Sequence, residues 1–479
     1  MSKVVSRLDP KKFREEFERN HCWEKGLLAY RQLPLLSASE AQEEGGDIRM
    51  YARFITTMVP WMFTHWFDEC MSWIKTCFIG DWSAQCKFHV KGPDALKFFS
   101  DTSVNNLTKF DIGQAKHCIM CNDLGKVTGE GVLMRYGEDE FQTFGGIGLW
   151  AEYMLNTGNY NAVGIQKGPD LFSFHVQGPN SIDILEKVTG ESIRDIKFMY
   201  FRKSKINGVE VTLLRTGMSG ELGYEVHGSC EYAAQIYQAI YEAGREFGIL
   251  KLGERAAKVQ HVQACFPTVM ADYVPAVKGI VDPTKLKNFN VANVEQRGAF
   301  LDRVPGGSLE YSDIKELWRS PLELGWGRMI DWKHDFIGKA ALEREMKDPN
   351  RKTMVTLVWN SEDCIDVYAS LFRKTEEFPY EPMDLPKENY RRSMAPNRVE
   401  NAEGKMIGNT SNRSYSVLFR EMISLGTIEM QYATPGTDVF IIWGEPGKPQ
   451  KKIRAKVARV PYKKDNRRVD VTKLPVRPL

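Results

Sequence analysis

The stretch Arg215–Gly228, RTGMSGELGYEVHG, sets four glycines around acidic and aromatic residues and then takes on the alternating pattern of a β-strand. In such a strand Tyr224 and Val226 share one face. Glu225 and His227 share the other face, so this carboxylate either faces water or is buried where a ligand can reach it. Spacing alone leaves both readings open.

A repeated pattern surrounds this stretch. The segments FHVKGPDALKFFSD (88–101) and LFSFHVQGPNSIDILEKVTG (171–190) each read as a short strand, a Gly-Pro turn and a helix, and Asp94 can cap the first helix. Because the pattern occurs twice, it predicts two related α+β units.

A β-meander is predicted between the two units. HCIMCNDLGKVTGEGVLMRYGEDEFQTFGG (117–146) has turn signals between three apolar runs, and Glu130 falls inside the second predicted strand. The glycines on either side of it, Gly129 and Gly131, either leave room for a flat ligand or mark a β-bulge.

The C-terminal part of the chain has a different sequence pattern. From near Lys352 onward, short apolar strands are separated by Gly and Pro turns, with the longest irregular loop at residues 373–405. This pattern predicts a separate all-β domain, either a sandwich or a barrel.

Composition and charge exclude several classes of protein. The 65 Lys and Arg residues nearly balance the 62 Asp and Glu residues, so the net charge of +3 gives no field suited to nucleic acid. No apolar run approaches the roughly 18 residues of a membrane span, and the nine cysteines show no disulfide framework. We therefore expect a cytoplasmic protein that binds neither nucleic acid nor membrane.

The cysteines and histidines predict no metal site. Cys118 and Cys121 have CxxC spacing, but no second pair exists, and this spacing puts two thiols on opposite faces of a strand. The eight histidines include no HExxH or HxH group. We interpret the two cysteines as buried thiols and expect no metal ion.

Five motifs resemble, in order and at similar separations, those of the folate-binding T-protein (aminomethyltransferase) superfamily: FHVQGPNS (174–181), LLRTGMSGELGYEV (213–226), LGERAA (252–257), SPLELGWGRMIDWKHDFIGKAAL (320–342) and YATPGTDVFIIWG (432–444). The resemblance covers most of residues 51–465. Two further segments are most similar to the tetrahydrofolate-dependent aryl O-demethylases of vanillate, 3-O-methylgallate and syringate: VTLVWNSEDCIDVYASLF (355–372) and GNTSNRSYSVLFREMISLGTIEM (408–430).

The resemblance implies an α+β, three-domain T-protein-like fold with a central folate-binding hole and a C-terminal all-β barrel or jelly-roll domain. It also implies the domain boundaries: an N-terminal extension at 1–50, a first folate-binding α+β domain at 51–165 that is completed by 270–350, a second α+β domain at 166–269, and a C-terminal β-barrel domain at 351–479.

The resemblance further implies which residues bind tetrahydrofolate. Glu225 matches the family glutamate whose carboxylate accepts two N–H bonds from the edge of the pterin, and the glycine-rich loop before it lets the backbone approach the ring. The other matched cofactor-binding positions are Gln177, Arg215, Tyr224, Phe266 and Trp326.

Two acidic residues are the expected catalytic groups. Glu130 matches an acidic position, usually aspartate, beside the reactive nitrogens of the folate, where a carboxylate can take the proton that N5 loses. Asp81 matches the aspartate of an FDVSH-like family motif. Together with Tyr51 and Trp82, it is also expected to contact the substrate.

The chain departs from the vanillate-type enzymes where those enzymes bind their substrate. It reads GDWSAQCK (80–87) where they carry a Gln and two His, and FQTFGG (141–146) where they end a strand with Arg. The substrate is therefore expected to differ from vanillate. An aryl oxide leaving group still needs a donor at the ether oxygen.

The leading expectation is an enzyme that moves a methyl group from an aromatic methyl ether, a small-molecule donor, to N5 of tetrahydrofolate. Two alternatives stay open. The donor could be an N-methyl or S-methyl compound such as a betaine or a sulfonium, whose positive charge Asp81 and Trp82 would suit. The chain could also be a non-catalytic folate-binding relative.

Overall fold

A computed structural model of the chain describes residues 51–54, 57–168, 170–277, 306–374, 378–387 and 394–476. The expected N-terminal extension at 1–50 lies outside the described residues, and so does part of the segment expected to complete the first domain. In the described part of the chain, no helix is both long enough and apolar enough to cross a membrane.

The described residues form β-strands and α-helices in alternation, followed by a run of strands. In chain order the strands are β1 (Tyr51–Phe54), β2 (Thr57–Pro60), β3 (Cys77–Asp81), β4 (Lys87–Lys91), β5 (Ala115–Cys121), β6 (Val127–Arg135), β7 (Glu140–Gly145), β8 (Val163–Gln166), β9 (Leu171–Gln177), β10 (Phe201–Ile206), β11 (Val209–Leu214), β12 (Gly223–Ser229), β13 (Ile249–Lys251), β14 (Lys352–Trp359), β15 (Asn397–Glu400), β16 (Met406–Ser416), β17 (Glu421–Glu429), β18 (Asp438–Trp443) and β19 (Lys451–Ala458). The α-helices are α1 (Trp66–Lys75), α2 (Ala95–Thr102), α3 (Ile147–Thr157), α4 (Ser181–Thr189), α5 (Ala233–Gly244), α6 (Glu254–Gln263), α7 (Lys339–Lys347) and α8 (Ser361–Ser370).

The first sheet has the strand order β5-β6-β7-β4-β8 and is antiparallel throughout. Strands β5, β6 and β7 form the predicted meander, and Glu130 lies in β6. Helices α2 and α3 cover one face of this sheet, where Phe88 and Leu133 are buried with Trp150. The opposite face is left for other contacts.

The second sheet has the order β10-β11-β12-β9-β3-β13, and only the β3–β13 pair is parallel. Helices α4 and α5 cover one face, where Phe174, Tyr224 and Ile236 are buried. Strand β3 belongs to this sheet, although the expected boundaries placed it in the 51–165 domain. The reason is that Cys77 and Ile79 complete the core of the second sheet.

The predicted repeat of strand, Gly-Pro turn and helix is present as β4–α2 and β9–α4. Gly92 and Gly178 have φ angles of +144° and +134°, so the two turns share one unusual backbone geometry. Asp94 occupies the N-cap position of α2, but its carboxylate accepts the backbone N–H of Asn161 at 2.8 Å instead of an N–H of the helix.

The C-terminal domain is a closed antiparallel barrel in the order β14-β17-β16-β15-β18-β19, and its first strand begins at Lys352. This confirms the expected α+β fold with a C-terminal barrel. Beyond the barrel the chain returns to the second sheet, where Val471 is buried in the core and its carbonyl accepts from Arg194 at 3.0 Å.

Candidate active site

The faces of the two sheets that carry no helices meet each other. Phe144 of the first sheet stacks on His227 of the second, with ring centroids 4.0 Å apart and an interplanar angle of 17°. Leu214 of the second sheet packs against Met134 and Phe144 of the first. In each sheet, the side chains on the face opposite the helices therefore point into one interior region between the two sheets.

Glu225 of β12 is buried in this region between two imidazoles. Its Oε2 lies 3.1 Å from Nε2 of His227, and its Oε1 lies 3.5 Å from Nε2 of His175. His227 follows on the same strand face, and His175 stands directly opposite Glu225 on β9. Of the two readings that spacing left open, the structure therefore selects a buried carboxylate, with its side chain only 6% exposed.

Gln177 sets the orientation of His175. Its Oε1 accepts the backbone N–H groups of Met218 at 3.1 Å and Ser219 at 3.0 Å. Its Nε2 is therefore turned toward His175 and donates to Nδ1 at 3.1 Å. His175 must then carry its proton on Nε2, which points at Glu225. Burial lowers the pKa of His175 to about 4, in agreement with a neutral ring.

The glycine-rich loop packs around the same glutamine. A Cβ at Gly217 would lie 2.7 Å from Cδ of Gln177, and a Cβ at Gly223 would lie 2.5 Å from its Cγ. These two glycines let the loop approach closely enough to donate its N–H groups to Gln177. This is a different use from the expected one, in which the loop backbone approaches the pterin ring.

The charge state of Glu225 follows from its neighbours. Burial raises the pKa of this carboxyl, but His175 and the hydrogen bond from His227 more than offset burial and hold the pKa below its usual value. An ionised carboxylate can accept about four hydrogen bonds, so the two imidazoles leave accepting capacity. Nδ1 of His227 is buried and has no hydrogen-bond partner among the described residues.

Trp82 covers His175 from the other side. The two rings stack with centroids 4.2 Å apart and an interplanar angle of 13°. Gly80 makes room for this contact, because a Cβ there would lie 2.4 Å from a ring carbon of Trp82. The structure therefore brings the predicted Trp82 to the cluster around Glu225.

Asp81 does not reach the same cluster. It pairs in register with Phe174, whose side chain lies in the helix-covered core, so Asp81 points away from the face that carries His175. Its carboxylate accepts the backbone N–H of Ser83 at 2.8 Å, and burial raises its pKa. The side chain of Tyr51, the third expected substrate contact, lies outside what the structure describes.

Two expected cofactor-binding residues are also placed elsewhere. The side chain of Tyr224 is fully buried in the helix-covered core, on the face opposite Glu225. Arg215 donates to the carbonyl of Ile196 at 3.2 Å and to that of Val469, so its guanidinium ties the C-terminal segment to the second sheet.

A second cluster forms around His117 of β5. Its Nε2 lies 2.8 Å from Oε2 of Glu130, and its Nδ1 lies 3.2 Å from the sulfur of Met329. The ring centroid of His117 lies 5.0 Å from that of Trp326 and 6.1 Å from that of Phe266. Three of the expected site residues, Glu130, Trp326 and Phe266, therefore meet around one histidine.

Glu130 points into the region that also holds Glu225. Glu130 lies two residues before Val132 on the same face of β6. Val132 packs against Phe144 on the face that meets the second sheet. The neighbouring Gly131 allows the backbone of Phe144 to approach closely, since a Cβ at residue 131 would lie 2.2 Å from the carbonyl oxygen of Phe144. It is therefore needed for strand packing and not to make room for a ligand.

Arg467 of the C-terminal segment lies between the two clusters. It donates to the carbonyl of Gly217 at 3.3 Å, beside Gln177. Its guanidinium also lies 5.6 Å from the ring centroid of Phe266, beside His117. The two clusters therefore border one another.

Three histidines hold the two carboxylates and were not among the predicted site residues: His117, His175 and His227. Alternation did put His227 on the face of Glu225, and the same rule puts His175 on the face of Gln177. No local signal paired His117 with Glu130, because that contact runs diagonally between two strands.

The described residues contain no group of three or more His, Cys, Asp or Glu side chains arranged to hold a metal ion. Cys118 and Cys121 are buried in separate hydrophobic clusters on the two faces of β5, as the alternation predicted. Burial raises the pKa of Cys118 to about 12, so this thiol is unreactive at neutral pH.

Comparisons with known proteins agree with this architecture. The family model described as the GCVT N-terminal domain matches residues 41–280. Sesamin methylene transferase of Sinomonas sp. is 34% identical over 457 residues, which cover 92% of this chain and 98% of that protein. Syringate O-demethylase of Sphingobium sp. is 30% identical over 430 residues, which cover 84% of this chain and 90% of that protein.

A solved structure shares the fold. The glycine cleavage system aminomethyltransferase T from Bartonella henselae superposes with a TM-score of 0.65 at 16% sequence identity, over 90% of this chain and 98% of that chain. At this identity the likeness supports the three-part fold and nothing finer.

Proposed function

The chain belongs to the GCVT N-terminal domain family, and from this premise we propose that it is an O-demethylase that moves a methyl group from an aromatic methyl ether to N5 of tetrahydrofolate. Tetrahydrofolate is the cofactor, and the chain is a tetrahydrofolate-dependent methyltransferase. The aromatic methyl ether as donor is the finer part of the proposal, and its support is the similarity to a protein named syringate O-demethylase.

The observation that carries the proposal is the position of two carboxylates on facing sheets. Glu225 is buried and ionised with accepting capacity to spare, and Glu130 is paired with His117 at 2.8 Å. A transfer to a ring nitrogen can use both groups. One carboxylate holds the N–H edge of the ring that accepts the methyl group, and the other takes the proton that its nitrogen loses.

The residues present fit a reduced pterin. The free accepting capacity of Glu225 suits the N–H donors at the pterin edge. Nδ1 of His227, which bonds to none of the described residues, suits a further donor. Trp82 and Phe144 cover the two imidazoles and keep water from the carboxylate between them. In this proposal Glu225 binds the cofactor directly, and Gln177 acts through His175.

The chain contributes position, charge and a proton acceptor. When bound, tetrahydrofolate supplies the nitrogen that receives the methyl group. Glu130 accepts the proton of that nitrogen, and the hydrogen bond from Nε2 of His117 fixes which carboxylate oxygen is free to do so. The rings of Trp326 and Phe266 lie beside His117, with centroids 5.0 Å and 6.1 Å away, and help to position this pair.

The relative named sesamin methylene transferase supports a second candidate donor, because its similarity extends over nearly the whole chain. This donor would be an aryl methylenedioxy group, in which one carbon bridges two ring oxygens. A cationic N-methyl or S-methyl donor has less support, since it required Asp81 and Trp82 to line one pocket, and Asp81 points to the opposite face.

A donor panel tests the proposal. The purified protein is mixed with tetrahydrofolate and, separately, methoxyarenes, methylenedioxyarenes, a betaine and a sulfonium, and the folate products are separated by liquid chromatography and mass spectrometry. We expect 5-methyltetrahydrofolate and a phenol from a methoxyarene. Product from the betaine or the sulfonium alone would overturn the proposal. A methylene-bearing folate from the methylenedioxyarene alone would favour the second candidate.

A further inference from the structure

We propose that Tyr273 is a catalytic residue that donates its phenolic hydrogen bond to the aryl oxygen from which the methyl group departs. This inference rests on the proposed function, and it supplies the donor that the chain lacks at the positions used by the vanillate-type enzymes.

The Tyr273 hydroxyl is a polar group in the interior of the protein. The side chain is fully buried, and its hydroxyl has no hydrogen-bond partner among the described residues. The backbone around it is held firmly: Met270 N–H donates to the Tyr273 carbonyl at 2.8 Å, and Val274 N–H donates to that of Leu317 at 3.2 Å. A buried hydroxyl without a partner is disfavoured, so its presence on a fixed backbone calls for a ligand.

The ring of Tyr273 belongs to the Glu130 cluster. It packs with Ile119, which stands directly opposite Glu130 across the β5–β6 pair, on the same sheet face. It also meets Trp326 edge to face, with centroids 6.1 Å apart and an angle of 89°, and Trp326 contacts His117 in turn. Tyr273 and the proposed proton acceptor Glu130 therefore belong to the same cluster of side chains.

The electrostatics keep this phenol in its donor form. Burial, followed by the charge of Glu130, raises the pKa of Tyr273 well above its usual value. Tyr273 therefore remains protonated at neutral pH. A neutral hydroxyl and an anionic carboxylate suit the two ends of a methyl transfer.

In the proposed step a carbon–oxygen bond of the donor breaks and a carbon–nitrogen bond forms. The bond between the methyl carbon and the aryl oxygen breaks, and its electron pair stays on the oxygen, where Tyr273 donates its hydrogen bond. The new bond joins that carbon to the nitrogen of tetrahydrofolate, and Glu130 takes the proton that the nitrogen releases. Uptake of one proton by the aryl oxide completes the phenol product, so no oxidant or reductant is required.

Tyr273→Phe tests the inference, with Tyr237→Phe as a control in the helix-covered core of the second sheet. The substitution keeps the ring and removes a hydroxyl that bonds to none of the residues the structure describes, so we expect an unchanged melting midpoint. We expect kcat to fall on the order of 10²-fold or more for an electron-rich methyl ether, as for the loss of an oxyanion donor. A nitro-substituted methyl ether, whose oxide leaves easily, should lose far less.

A binding measurement that needs no turnover completes the test. A nitrophenol that corresponds to a demethylated product is titrated with pH while bound, and its ionisation is followed by visible absorbance. We expect it to ionise at higher pH in Tyr273→Phe than in the wild type and the control. Identical titrations, together with equal sensitivity to the leaving group, would overturn the role of Tyr273. Absence of methyl transfer by the wild type would instead count against the proposed function.

Discussion

Nε2 of His227 lies 3.1 Å from Oε2 of Glu225, and both side chains are buried where the two sheets meet. His227, which lies on the same strand as Glu225, donates this hydrogen bond to one oxygen of the carboxylate. His175 approaches the other oxygen from the neighbouring strand. The carboxylate is thereby held in one orientation before any ligand binds, which lowers the entropic cost of binding.

Glu225→Gln tests the proposed contact with the cofactor. The amide keeps the size of the side chain but loses the charge and half of the accepting capacity. We expect tetrahydrofolate to bind more weakly by about 1–3 kcal/mol, measured by isothermal titration calorimetry. Glu210→Gln, at an exposed position of the same sheet, is the control and should bind normally. Unchanged affinity in Glu225→Gln would contradict the proposed contact between the pterin and this carboxylate.

Glu130→Gln tests the proton acceptor. An amide cannot take a proton, so kcat should fall by roughly 10²–10⁴-fold, whereas the affinity for tetrahydrofolate should change little. Single-turnover kinetics and equilibrium binding measure the two effects separately. Glu140→Gln on β7, which pairs with Lys91 at the sheet surface, is the matched control. Equal losses in rate and affinity would assign Glu130 to binding alone.

His175 makes stability depend on pH. Its pKa is about 4 in the folded protein and near 6.5 in an unfolded chain, so between these values the unfolded state binds more protons. Stability should therefore fall as the pH is lowered from about 6.5 to about 4, by something on the order of 1–3 kcal/mol from this residue. Urea unfolding at several pH values measures the slope. His175→Gln should reduce it, and His65→Asn, at an exposed helix cap, should not. An equal slope in His175→Gln would mean that this ring is not neutral in the folded state.

Gly217→Ala tests the packing of the loop on Gln177. The new methyl group would lie 2.7 Å from Cδ of Gln177, so we expect a loss of about 1–3 kcal/mol in unfolding free energy together with weaker tetrahydrofolate binding. Gly168→Ala, where a Cβ meets nothing within 4 Å, is the control. Adding Gln177→Ala should relieve the clash, and strictly additive losses in this double variant would contradict the contact.

The sequence predicted most of the architecture. The two Gly-Pro repeats, the meander that carries Glu130 and the barrel that begins at Lys352 are all present, because each depends on local periodicity and turn chemistry. Strand β3 pairs in the second sheet, although the expected boundaries put its residues in the 51–165 domain, since a short apolar strand can pair with either neighbouring sheet and its sequence does not say which.

The candidate site was predicted in part. Glu130, Phe266 and Trp326 meet around His117, and Gln177, Trp82 and Glu225 meet around His175. Asp81, Arg215 and Tyr224 are placed away from both clusters. A motif reports which residues recur at a spacing, whereas the face that each one takes depends on where its strand lies in the sheet.

By itself, the sequence determined the family, the order of the elements and the face of β12 that carries Glu225, because motif order and strand alternation are properties of the chain read in one direction. Only the tertiary structure decided that Glu225 lies between His175 and His227, that His117 holds Glu130, and that the buried Tyr273 hydroxyl meets no hydrogen-bond partner in the described part of the chain. These relations depend on strand register and on the packing of one sheet against another, where residues far apart in the chain come within a few ångströms.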